Sequence, residues 1–118
     1  MPSDQSANDT ERMKFADGLV VPILQGDKTA TVRCGGYWNL EVGDRVTAIT
    51  DDGTEFAGLT ITRTATLPAV EAHGFLRLAG AEYPSAKPQD VIDALNEHHQ
   101  AGIRPSTDVR VIVFEVDR

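Results

Sequence analysis

Gly26-Asp27-Lys28-Thr29-Ala30-Thr31-Val32-Arg33 is the stretch on which the reading of this chain turns. The glycine suits a chain reversal, a lysine follows closely, and polar side chains then recur at every second position. Period two puts Thr29, Thr31 and Arg33 on one face of an extended segment, and Ala30, Val32 and Cys34 on the other. Two hydroxyls and a guanidinium on one strand face, with an ammonium beside them, can hold an anion or polarise a carbonyl.

Upstream, Leu19, Val20, Ile23 and Leu24 recur at helical spacing. Pro22 is tolerated only near the first turn and Gly26 is placed to end the helix, which predicts a short helix from Leu19 to Gln25. Met13-Lys14-Phe15 reads as a short first strand. Residues 1–12 are polar and aperiodic and read as a mobile tail, leaving 13–118 as one domain.

Downstream, Gly35-Gly36 closes the strand and Tyr37-Trp38-Asn39-Leu40 fills a loop. Glu41-Val42-Gly43-Asp44 reads as a turn into the alternating strand Arg45 to Thr50, and Asp51-Asp52-Gly53 as a hairpin. The returning strand, Glu55 to Thr66, alternates without interruption: Phe56, Gly58, Thr60, Thr62 and Thr64 face one side, Ala57, Leu59, Ile61, Arg63 and Ala65 the other. Its length and its internal Gly58 suit a strand bending round a barrel corner. Pro68 opens a helix expected to end at Gly74. A loop through Gly80, Ala81, Glu82, Tyr83 and Pro84 leads to a second helix, with Pro88 in its first turn, Val91, Ile92 and Leu95 as its buried stripe, and Gly102 closing it. Val109 to Val116 is apolar enough to be a central strand. Together these predict an α+β fold, a small, strongly curved sheet or β-barrel of five to six strands decorated by two to three helices.

Length and charge narrow the function. The chain has 118 residues, enough for one modest core, and a net charge of −7. A protein that coats long nucleic acid through its phosphates is usually basic, so only a local basic pocket on an acidic body fits. A single cysteine, Cys34, excludes an internal disulfide and a cysteine-built metal site. No apolar run approaches the ~20 residues of a membrane span, and no basic-then-apolar leader opens the chain. A cytoplasmic protein, monomeric by preference and without membrane, metal or cofactor, is the expectation. His98 and His99 are adjacent on a helix, ~100° apart, and cannot share a metal as i and i+4 residues do. His73 is isolated, and all three read as non-functional. Cys34 reads as a small buried hydrophobe.

The octapeptide, with Pro22-Ile23-Leu24-Gln25 before it and Val42-Gly43-Asp44 after it, resembles the ASCH domain family, a branch of the PUA-like β-barrel superfamily. The elements that carry the resemblance are Gly26, Lys28, Arg33, Gly43 and Asp44. Many members have glutamate two residues before the arginine, where this chain has Thr31. Lys28-Thr29-Ala30-Thr31-Val32-Arg33 in that form is similar to the bacterial N4-acetylcytidine amidohydrolase branch. That resemblance implies a metal-independent hydrolase without cofactor, with Lys28, Thr31 and a later glutamate as the catalytic set; Glu82 is the acid available for the third place. The Gly35-Gly36-Tyr37-Trp38 segment departs from the charged loop of those enzymes.

The chemistry sets demands on each group. Thr31 acts as a nucleophile only if a base takes its proton. Lys28 ordinarily titrates near ~10.4, so it serves only if it is desolvated or crowded by Arg33. Glu82 would shuttle the proton to the departing amine. Thr29 and Arg33 would bind substrate, although Arg33 could instead pair with Asp44 or Glu82. Tyr37 and Trp38 read either as stacking walls for a base or, for the tryptophan, as a core plug. Lys28 lies three residues from Thr31, so the Gly26-Asp27 turn must swing it inward. The alternative is a non-catalytic RNA- or nucleotide-binding ASCH module that recognises a base in the same cleft.

Overall fold

In the computed structural model Gly26 adopts φ 83°, a left-handed conformation that costs glycine no Cβ clash. Its amide returns to the Ile23 carbonyl, and those of Asp27 and Lys28 both return to that of Pro22. The reversal ends helix α1 (Val20–Gln25) and delivers the chain into strand β2 (Ala30–Arg33). The structure describes residues 11–34, 37–83, 86–99 and 102–117. Most of the expected tail, the Gly35-Gly36 strand end, Pro84 and the side chains of His98 and His99 lie outside the described residues.

The other elements follow the expected order: β1 (Glu11–Lys14) and a 3-10 turn (Asp17–Leu19) before α1, then β3 (Arg45–Ile49), β4 (Glu55–Pro68), α2 (Ala69–Leu78), α3 (Pro88–His99) and β5 (Asp108–Val116). The five strands form one sheet in the order β1-β3-β4-β5-β2, antiparallel except for β1 beside β3. This curled five-stranded sheet with three helices is a small α+β half-barrel. No described helix is long and apolar enough to cross a membrane.

Both sheet faces are covered, which explains why β5 is apolar along most of its length. On one face Ala30, Val32, Val109, Val111 and Val113 pack against Ala72 and Leu76 of α2 and Val91, Ile92 and Leu95 of α3. Cys34, expected to be buried, packs against this cluster but is only partly buried. On the concave face Met13, Ile23, Val46, Leu59, Ile61, Ile112 and Phe114 form a second core.

Three local expectations are corrected. Glu11 and Arg12 pair with Val46 and Thr47, so they belong to the sheet and not to the tail. Helix α2 runs through Gly74 to Leu78, because Ala72, His73 and Leu76 form a continuous buried face that outweighs the ~1 kcal/mol penalty of an internal glycine. The reversal is made instead by Gly80, at φ 69°. The alternation of β4 breaks at a bulge between Ile61 and Arg63. Ile61 pairs with Phe114 and Thr64 with Ile112, so Thr64 and Thr66 share the concave face with Leu59 and Ile61. The extra residue, Thr62, directs its hydroxyl to the Val113 carbonyl.

The sheet's two edge strands, β1 and β2, are tied by side chains rather than by a ladder. Arg33 at the end of β2 donates from Nη2 to the Lys14 carbonyl of β1 at 2.7 Å. The Tyr37 hydroxyl donates to the Arg12 carbonyl at 3.3 Å. Closure of the half-barrel therefore runs through the residues singled out in the sequence.

Candidate functional site

The Gly26 turn does swing Lys28 inward: its side chain is 7% exposed. The Thr29 carbonyl accepts from the Phe114 amide of β5, so alternation turns the Ala30 carbonyl to the free edge of β2. Lys28 Nζ donates to that carbonyl at 2.7 Å. The ammonium also lies 4.6 Å from the centre of the Tyr83 ring, a cation–π contact. Burial first, and the Arg33 charge second, lower the Lys28 pKa from 10.5 to about 8. A lysine in that range holds a substantial neutral fraction near pH 8 and can accept a proton.

Thr31 is 6% exposed, and its Oγ1 accepts from Arg33 Nε at 3.1 Å. With one lone pair held by a cation, the hydroxyl proton is polarised and free to be given away. Arg33 lies near two aromatic rings, 4.9 Å from the centre of Phe15 and 5.5 Å from that of Tyr37. Burial lowers the Arg33 pKa, while Tyr37 and Tyr83 oppose the shift. Tyr37 itself sits at φ 65°, an uncommon conformation for an aromatic residue. Its ring contact and its hydroxyl bond to Arg12 hold it there. Arg33 forms no ion pair with Asp44 or Glu82, which removes the structural pairing weighed from the sequence.

The structure brings Lys28, Thr31, Arg33 and Tyr37 together and treats the other candidates differently. Thr29 precedes the strand, and its hydroxyl accepts from the Glu82 amide at 2.8 Å while its own amide donates to the Glu82 carbonyl. The Glu82 backbone is thus fixed beside the motif, but its side chain is exposed. The neighbouring residue, Tyr83, is the one that reaches Lys28, and burial raises its pKa, so the phenol stays protonated. Trp38 is 43% exposed; it is neither a core plug nor one of the rings on Arg33. His73 is buried on α2. Among the described residues, no group of three or more His, Cys, Asp or Glu side chains could hold a metal ion.

An open cleft of about 220 Å³ reaches this region between the end of α1 and the end of β5. Ile23, Gly26, Lys28, Thr29, Phe114, Glu115 and Val116 line it. It is smaller than the ~300 Å³ at which drug-sized pockets begin, a size that suits a single base or acyl group. Thr31 and Arg33 are not among its walls.

Similar architecture occurs in several solved structures. An ASCH domain from Lactobacillus crispatus JV V101 superposes with a TM-score of 0.61 at 17% identity, covering 98% of this chain and 86% of that one. The chain has the ASCH fold. Protein EF3133 from Enterococcus faecalis V583, described under the family model DUF984, gives 0.64 at 15% identity over 91% of this chain and 76% of the other. The hypothetical protein PH0355 gives 0.66 at 12% identity over 92% and 99%. No family model and no curated protein matches the sequence.

Within this ASCH fold the sequence reading missed four contributors. Phe15 and Tyr83 supply ring faces to Arg33 and Lys28, and Lys14 contributes only its carbonyl. Arg110 was also missed, although it left a signal. It is the one charge inside the apolar run Val109-Arg110-Val111-Ile112-Val113-Phe114.

Proposed function

We propose that this ASCH domain is a metal-independent amidohydrolase that removes the acyl group from an acylated nucleobase such as that of N4-acetylcytidine. The observation that carries the reading is a buried lysine whose pKa falls to about 8 within reach of the Arg33 charge, while that same arginine is bonded to the Thr31 hydroxyl. Neutral Lys28 would leave the Ala30 carbonyl and take the Oγ1 proton as Thr31 attacks the acyl carbon. Arg33 would stabilise the developing oxyanion. The C–N bond would then break, with Lys28 returning its proton to the departing exocyclic amine. Water would cleave the resulting Thr31 ester, and Glu82 at the rim would relay protons to solvent. Acid-quenched protein incubated with N4-acetylcytidine should carry the acyl group on the peptide containing Thr31. Turnover through a water attack, with no acyl-peptide in wild type or in slowed variants, would remove Thr31 from the nucleophile's place.

A second reading rests on one specific feature. Lys28 Nζ is bonded to the Ala30 carbonyl and not to the Thr31 hydroxyl. A lysine that stays there would bind a base carbonyl without chemistry, and the domain would be a nucleotide- or RNA-recognition module. Saturable binding of cytidine or an RNA oligonucleotide, with no release of acetate from the acetylated nucleoside, would select it.

A further inference from the structure

Arg33 and Arg110 are direct cross-strand partners in the β2–β5 pairing, so their side chains leave the same, concave face. Two like charges placed opposite one another destabilise a strand pair unless something lies between them. They diverge from there: Arg33 reaches to β1 through the Lys14 carbonyl, whereas Arg110 reaches to β4. Arg110 Nη1 donates to Thr66 Oγ1 at 2.9 Å and Nη2 to Thr64 Oγ1 at 3.2 Å, and Nη2 also donates to the Leu40 carbonyl. The bulge in β4 is what turns Thr64 and Thr66 onto this face. Thr31, across from Ile112, extends the same hydroxyl-bearing floor.

A purely structural staple would account for both Nη atoms of Arg110. It does not account for Nε, which is buried with no hydrogen-bond partner. Buried donors are almost always satisfied, and one that is not calls for an acceptor. Among the described residues the ion pairs are Arg12–Glu55 and Arg45–Asp117, so no carboxylate neutralises Arg33, Arg110 or Lys28. On a chain of net charge −7, Lys28 and Arg33, near enough for the Arg33 charge to lower the lysine pKa, and Arg110 on the face of Arg33 thus carry no internal counter-charge.

We infer that the Arg33–Arg110 pair, with the hydroxyls of Thr31, Thr64 and Thr66, is a binding site for a phosphate group. Forked guanidinium donors and hydroxyls are the groups that recognise a tetrahedral oxyanion, and one of its oxygens would supply the acceptor that Arg110 Nε lacks. The phosphate arrives either as the free ion or as the 5′-phosphate of a nucleotide whose base occupies the Lys28 pocket; only the second source rests on the function proposed above.

The test is a titration of the intact protein with inorganic phosphate against chloride at matched ionic strength, followed by amide nuclear magnetic resonance. Saturable shifts at Thr31, Arg33, Thr64, Thr66 and Arg110 are expected. Arg110→Gln should weaken the affinity by about ten-fold or more. Should Arg110→Gln fail to fold, Arg110→Lys keeps the charge and loses the fork, and a drop of several-fold is expected. An absence of saturable shifts, or an unchanged affinity in the folded variant, overturns the site. Cytidine and cytidine 5′-monophosphate separate the sources. Tighter binding of the monophosphate than of either phosphate or cytidine supports the linked site. Phosphate binding with no gain from the nucleoside leaves the anion site standing and removes the nucleoside reading. Cytidine binding with no gain from its phosphate, and no saturable binding of inorganic phosphate, overturns the anion site.

Discussion

Arg33 donates from Nε to the Thr31 hydroxyl oxygen at 3.1 Å, which occupies one of its lone pairs and leaves the other lone pair and the proton for chemistry. The same guanidinium closes the half-barrel on the Lys14 carbonyl. Positioning of the candidate nucleophile and closure of the fold are therefore one arrangement. Arg33→Lys should disturb both, since an ammonium cannot make the two bonds in the guanidinium's planar geometry. We expect a stability loss of about 1.5–3 kcal/mol in urea unfolding, the range for hydrogen bonds to charged groups. Any turnover should fall with it.

Thr31→Ser and Thr31→Val separate chemistry from packing. Serine keeps the hydroxyl and should keep most of the activity. Valine keeps the shape but leaves Arg33 Nε without its acceptor, so activity should fall to background. Stability should drop by about 1–3 kcal/mol, the cost of an unsatisfied donor. Initial rates and unfolding curves of the two variants provide the comparison.

Lys28 makes stability depend on pH in a defined direction. Its pKa is lowered from 10.5 to about 8 on folding, so between those values the unfolded chain binds more protons than the native one. Stability contributed by this group is therefore full above about pH 10.5, declines as pH falls towards 8, and is absent below. Lys28→Met should remove this slope and stabilise the protein at neutral pH, by on the order of 3 kcal/mol at most. Denaturant midpoints of both proteins across that window test it. In the wild type, turnover should rise with pH through about 8 as the amine becomes neutral.

The turn that aims Lys28 depends on Gly26. A Cβ there meets nothing within 4 Å, so the strain of Gly26→Ala comes from φ +83° alone. A cost of about 1–2 kcal/mol is expected, the usual penalty for a left-handed L-residue. Because the same change displaces Lys28, activity should fall by more than the stability loss explains.

Much of the fold was legible because its signals are local. Gly26 after a helical stripe, Asp51-Asp52-Gly53 between alternating runs and the apolar β5 each imply an element directly. The bulge at Ile61–Arg63 was not legible, because threonines and small hydrophobes suit either face of a strand. That one-residue slip hid Thr64 and Thr66 from the concave side and, with them, the meaning of Arg110. The geometry of the candidate site was legible to the same degree. Period two identified Thr31 and Arg33, and the glycine identified the turn that buries Lys28. The Tyr83 contact lies beside hydrogen bonds from the Thr29 amide and to the Thr29 hydroxyl that join it to the Glu82 backbone, residues 53 apart in sequence that leave no periodic trace.

Glu82 offers the clearest test of the proton relay. Its carboxylate is exposed, so as a shuttle it should be replaceable by a small buffer acid. Glu82→Gln should lower kcat by about 100-fold in dilute buffer, at the modest end for general acid–base groups, with KM unchanged. Concentrated formate or imidazole should restore the rate. A loss that no buffer rescues would assign Glu82 a structural role at the Thr29 junction.

The most direct measurement is release of cytidine from N4-acetylcytidine by purified wild type, Thr31→Val and Lys28→Met proteins, each shown to be folded. We expect turnover by the wild type and none above background by either variant. No turnover by the wild type, or turnover that survives both substitutions, would contradict a catalytic Lys28–Thr31 pair.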